Sequence, residues 1–293
     1  MRTTDSLFVL VAIAGCGDDN KPTVVDQSPC ATTDGECIFR HDTFGDEQLW
    51  TDTLRLHELV QTLPPTMALG VGLKVDADAV PAGVLASADL TDPATTVALI
   101  QLDAVLGVHG TVENGTITRI GITCALCHST VDDLVAPGIG KRLDGWPNRS
   151  LDPGAIISLT PGLATYTAKL GVDNQAAIIA LQSWGAGRYD ARFNQDTENH
   201  PVLIPPAYGL SDVALETYTG EGPVTYWNAY VAVTQMGAHG DFTDARLGLD
   251  IKQDPDRVTP MLPALRDYQF SRPAPSAPIA MYDADAAARG KVL

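Results

Sequence analysis

Residues 124–128 read Cys-Ala-Leu-Cys-His, with Thr123 before them and Ser129 after. Few chemistries use a C-x-x-C pair followed at once by a histidine. The two thiols reach two vinyl groups on one edge of a porphyrin, and the adjacent imidazole turns under the ring to bind iron. The same letters also arise by chance, at zinc sites and in thiol-redox motifs. Zinc needs a second ligand pair at suitable spacing, and none stands nearby. A thioredoxin-like motif needs a βαβ setting, which the pattern lacks. The motif therefore points to one covalent haem c on Cys124 and Cys127, with His128 on the iron. No cysteine follows Cys127.

Haem of this kind is attached outside the cytoplasm, and the first residues agree. Arg2 supplies a weak positive start, and Leu7–Ala14 is an apolar run too short to span a bilayer. It leads into Ile13-Ala14-Gly15-Cys16, which resembles a bacterial lipobox. The expectation is an exported chain anchored to the membrane by a lipid on Cys16 and facing the periplasm. The alternative is an ordinary cleaved signal in which Cys16 is incidental. Cys30 and Cys37 flank the polar stretch ATTDGE and are expected to close a small disulfide loop.

Charge narrows the partners. Nineteen Lys plus Arg face 36 Asp plus Glu, a formal net charge of −17. Such a surface repels nucleic acid, so no nucleic-acid partner is expected. A redox partner, if charged, would be basic.

The pattern along the chain predicts a mainly α protein with long irregular loops, rich in turns from its 20 prolines and 26 glycines. Asp46–Gln61 reads as one helix with Leu49, Trp50, Thr53, Leu54 and His57 on one face. A second helix opens at Asp92-Pro93, a cap followed by a first-turn proline. Asn114-Gly115 between β-branched runs predicts a small β-hairpin leading into the haem motif. Residues 155–157 and 175–184 read as helical, 227–235 as helix or strand with helix preferred, and Arg272–Pro278 as a Pro-rich linker. The expected division is 1–15 signal, 16–38 tether with the disulfide loop, 39–270 a cytochrome c-like haem domain with insertions, and 271–293 linker.

The sixth iron position has several candidates: His200, Met236, His239, Met261 and Met281. Met236 stands first, because it leaves an apolar segment just before Gly237. His239 is the alternative distal ligand. An axial Met suits simple electron transfer, whereas an open position permits peroxide or oxygen chemistry. Trp146 and Trp227 are candidates for the haem edge, where an indole N–H would meet a propionate. Arg142 and Arg149 are candidates for pairing with propionates. The oxygen-rich loop Asp190, Asn194, Asp196 and Glu198 has ligands a hard cation takes, but reads first as a solvated loop.

Several segments resemble exported di-haem c-type cytochromes of bacteria, distantly similar to di-haem cytochrome c peroxidases and haem-containing rubber oxygenases. They are FRHDTFGDE from Phe39, GITCALCHSTVDD from Gly121, APGIGKRLDGWPNR from Ala136, YWNAYVAVTQM from Tyr226 and LPALRDYQ from Leu262. The resemblance implies helical haem domains with long connections. By similarity to small class I cytochromes, the Pro137 carbonyl would accept the His128 Nδ1–H and orient the ring. The family carries a second C-x-x-C-H that this sequence lacks. The expectation is a chain interrupted where a second haem domain would begin; the rival reading is a true mono-haem protein. Electron transfer is the first functional expectation. A haem peroxidase or oxygenase, or a non-functional fragment of one, is the alternative.

Overall fold

A computed structural model describes residues 28–215, 220–276 and 283–292. The signal segment, Cys16 and Met281 lie outside the described residues.

Helix exceeds strand, and the strands form five separate two-stranded pairs among the described residues. Frequent proline and glycine keep the helices short. Pro93–Gln101 is typical: Asp92 accepts from Ala94 N at 2.9 Å, Pro93 occupies the first turn, and Val97, Leu99 and Ile100 are buried. That helix packs on the expected hairpin, Val108–Glu113 with Thr116–Ile122. Asn114 and Gly115 have φ of 51° and 75°, as a twisted two-residue hairpin turn requires. The second strand runs on into the Cys124 motif.

Two expectations need correction. Asp46–Gln61 is not one helix. Gln48–Thr53 forms a π-helical turn, Arg55 sits at φ 58°, and a separate helix covers Leu56–Val60. The widened turn is visible where Leu54 N donates to Leu49 O at 2.8 Å, five residues back. It keeps Trp50 and Leu54 buried while breaking the α register after them.

The expected boundary between tether and domain at 38/39 falls inside a helix, Gly35–His41. Ile38 and Phe39 are in the core, and Phe39 packs on Tyr268 at 5.4 Å between ring centroids. Gly35 lies so close to the Leu262–Phe270 helix that a Cβ would overlap the Ala264 carbonyl. The Cys30–Cys37 disulfide is present, and it fastens the start of this packed helix. Near the other end, where 271–293 reads as linker, Ala284–Gly290 is an exposed helix capped by Asp283.

Two apolar clusters make up most of the interior. One joins Gly35–His41, Val224–Val231 and Leu262–Phe270; the other joins the hairpin, Pro93–Gln101 and the Trp50 turn. Ala125 belongs to the first and Leu126 packs against the second. The Cys-Ala-Leu-Cys-His turn thus sits at their seam.

Candidate haem site

The motif folds as one helical turn, Ala125–His128. A turn this short cannot satisfy its own carbonyls, and neighbouring segments do so. His128 N donates to Cys124 O at 3.1 Å. Asn148 N donates to Cys127 O, and Gly145 N to His128 O, both at 2.8 Å. Asn148 Nδ2 also donates to Gly72 O at 2.9 Å, and Asn148 is buried. On the other side, Thr123 N donates to Gly107 O at 3.0 Å. Gly107 has φ 72°, and a Cβ there would overlap the Leu126 backbone. The turn is clasped by residues 145–148 and seated on Gly107.

Cys124, Cys127 and His128 open onto a cavity of about 470 Å³ with a mostly apolar wall. That volume lies in the range of cofactor and small-molecule sites. Both thiols are unpaired and half-buried. Burial pushes Cys124 up to about 12, with the nearby Asp42 charge adding to it, and burial does the same to Cys127. Both are neutral thiols at physiological pH. Among the described residues, no group of three or more His, Cys, Asp or Glu side chains is placed to hold a metal ion.

His128 Nδ1 lies 3.0 Å from Pro205 O. A carbonyl only accepts, so Nδ1 carries the proton and Nε2 is left with a free lone pair. Burial lowers the His128 pKa, the Pro205 bond opposing it, so the ring is neutral. The expectation for Pro137 is thereby corrected: Pro137 is exposed in the turn after Asp133, and Pro205 holds the ring. Pro205 itself lines the cavity.

Met236 is buried and lines the same cavity. It ends a π-helical turn, Ala232–Met236, which continues the Val224–Val231 helix. π-turns recur at functional sites because the extra residue re-aims a side chain. His239 is not on the cavity wall; its Nδ1 donates to Pro255 O at 2.9 Å. His200 pairs with Glu198 at 3.1 Å and is exposed. Met261 is buried in the first apolar cluster, away from the cavity wall.

Of the two tryptophans, Trp227 lines the cavity and Trp146 does not. Trp146 is exposed and packs on Tyr208 at 5.5 Å. Trp227 Nε1 is buried with no hydrogen-bond partner among the described residues. A buried unpaired donor costs about 1–3 kcal/mol, so this N–H gains from any acceptor brought within reach. The apolar wall, the two free thiols and the neutral imidazole are the groups that a covalently held haem would need. Arg142 lies 3.5 Å from Asp144, off the cavity wall, and Arg149 is exposed. The oxygens of the 190–198 loop are engaged within the protein: Asp190 accepts from Arg192 N and His200 N, Asp196 from Glu198 N, Asn194 Oδ1 from Gln235 Nε2, and Glu198 pairs with the His200 ring.

Besides Pro205, sequence reasoning misses Tyr189, Gln235 and Trp50 as residues of the site. Tyr189 and Gln235 line the cavity and bond to each other, Tyr189 OH donating to Gln235 Oε1 at 3.1 Å. Trp50 lines it as well, and its Nε1–H donates to the Met236 carbonyl at 2.9 Å. Gln235 is signalled only by its place beside Met236. No spacing rule marks Tyr189 or Trp50.

In comparisons with protein-family models, with curated proteins and with solved structures, the chain matches none.

Proposed function

We propose that this chain is a c-type cytochrome, holding one haem by thioethers to Cys124 and Cys127 and moving electrons one at a time. The observation that carries the reading is the shared cavity: Cys124, Cys127, His128 and Met236 all line it. Haem iron, when bound, supplies a reversible one-electron couple. The protein's own residues do the rest. Pro205 fixes the His128 tautomer and raises its basicity as a ligand. Met236 is the thioether donor proposed for the sixth position, with a raised potential as the consequence. The apolar wall excludes water, and the Trp227 N–H would donate to a propionate brought within reach.

Export, a lipid on Cys16, periplasmic placement and a basic redox partner are parts of the same proposal. No helix among the described residues is long and apolar enough to cross a membrane. The acidic composition supports a basic partner through steering of the encounter.

A second reading, a haem peroxidase or oxygenase, draws on Tyr189 and Gln235. Both are polar groups on the cavity wall able to hydrogen-bond to an oxygen ligand. The visible spectrum of protein produced with export and haem-attachment machinery separates the two. Low-spin oxidised and reduced spectra, with a weak near-infrared Met band when oxidised, support the carrier. A high-spin spectrum that shifts with peroxide or carbon monoxide supports the enzyme. Absence of covalent haem by mass overturns both.

A further inference from the structure

Met236 ends a helical segment, and the carbonyls of a helix end have no partner within the helix. Its carbonyl is nevertheless engaged, by an indole 186 residues earlier in the chain: Trp50 Nε1–H donates to Met236 O at 2.9 Å. Both residues are buried, and both line the cavity with His128. Gly237 turns the chain at φ 82°, and a Cβ there would stand 2.7 Å from Leu49 Cβ. Leu49-Trp50 and Met236-Gly237 therefore abut main chain to side chain.

The turn carrying Trp50 is tied equally closely to the other side of the site. Thr51 Oγ1 donates to Ile120 O at 2.8 Å and accepts from Ile120 N at 2.8 Å. Ile120 lies on the strand that runs into Thr123 and the cysteine motif. Adjacent residues of one π-helical turn thus hold the two parts of the site, Thr51 the strand leading to His128 and Trp50 the main chain of Met236.

We propose that Trp50 is a positioning residue that sets Met236 as axial thioether donor in register with the haem motif. The proposal rests on the reading of Met236 as the sixth ligand. Without the indole bond the Met236 carbonyl loses its hydrogen bond to the Thr51–Ile120 side, and the thioether is displaced more easily.

The test compares haem-loaded wild type, Met236→Ala, Trp50→Phe and a variant with 3-benzothienylalanine at position 50. The last keeps the size and shape of tryptophan and lacks the N–H, so it decides if Trp50→Phe fails to fold. The readouts are the near-infrared Met band, the midpoint potential and the affinity of the oxidised protein for imidazole. Loss of one neutral hydrogen bond is expected to tighten imidazole binding by roughly three- to tenfold. The Met band should weaken and the potential fall, with covalent haem content unchanged. If Met236→Ala alters band, potential and imidazole affinity while the position-50 variants leave all three at wild-type values, the positioning role is wrong and the ligand reading survives. If Met236→Ala itself changes nothing, Met236 is not the ligand and both ideas fall.

Discussion

Asp144 and Tyr268, 124 residues apart, share a hydrogen bond of 2.6 Å from the phenol to the carboxylate. The same carboxylate accepts from Arg40 Nε at 2.6 Å and Ser129 Oγ at 2.7 Å, and its side chain is nearly closed to solvent. Three distant segments therefore meet at one charge: the Gly35–His41 helix, the strand after His128 and the Leu262–Phe270 helix. Burial alone would raise this carboxyl. The Tyr268 and Ser129 bonds, with the charges of Arg142 and Arg40, outweigh it and hold the pKa below the ordinary value.

Asp144→Asn should be strongly destabilising. It leaves Arg40 and the largely buried Arg142 facing a neutral amide, and breaking such a pair costs about 3–5 kcal/mol. The sign of the pH dependence follows from the lowered pKa. The stabilisation is complete above the unfolded carboxylate pKa and is lost as pH falls through the lower folded value. Urea unfolding of wild type and Asp144→Asn at neutral pH and below pH 4 checks this; the difference in stability between the two should shrink on acidification.

Asp46 predicts the opposite slope. It is fully buried, and burial with the neighbouring Glu47 charge raises its pKa well above the ordinary carboxylate value. Between the unfolded and folded pKa values the native state binds more protons than the unfolded one. Stability therefore falls as pH rises through that window and levels off above it. Asp46→Asn keeps an acceptor for Ile122 N and removes the buried charge. It is expected to flatten this part of the profile and to raise stability at neutral pH. A lower melting temperature at pH 7 than wild type would contradict the assignment.

Gly107→Ala should disable haem attachment before it disables folding elsewhere. The residue requires φ 72°, and the new methyl meets the Leu126 backbone inside the cysteine motif. Such overpacking costs about 1–3 kcal/mol, beyond the positive-φ strain. Haem-stained protein per unit of exported chain should drop several-fold. Gly115→Ala, at a hairpin tip with open space around it, is the control and should attach haem normally.

What was readable in advance divides along chain distance. The hairpin follows from Asn114-Gly115, because two positive φ values in succession favour those residues. The helix at Pro93 follows from its cap, and the disulfide from two cysteines either side of a short polar stretch in a chain expected to be exported. Each is a local rule. Pro205 and Trp50 depend on contacts across 77 and 186 residues, and neither position differs locally from an ordinary loop proline or core tryptophan. Pro137 draws attention because it follows His128 closely, yet a turn of its own keeps it at the surface. The single helix expected over 46–61 fails because apolar spacing does not distinguish an α turn from a π turn that keeps the same residues buried.

Trp227 offers a test of the cofactor itself. Its indole N–H is buried and has no partner among the described residues, so in haem-free protein Trp227→Phe removes a cost. That variant should be more stable than haem-free wild type by about 1 kcal/mol or more, less whatever packing the smaller ring gives up. In haem-loaded protein the same N–H is proposed to meet a propionate, and a hydrogen bond to a charged group is worth about 1.5–3 kcal/mol. The substitution should then destabilise. Chain made without haem-attachment machinery and chain made with it supply the two states, and paired urea unfolding of wild type and Trp227→Phe measures each difference. Opposite signs place an anionic acceptor beside Trp227 in the loaded form. A gain in stability in both states would mean that the indole stays unpaired and that the propionates lie elsewhere.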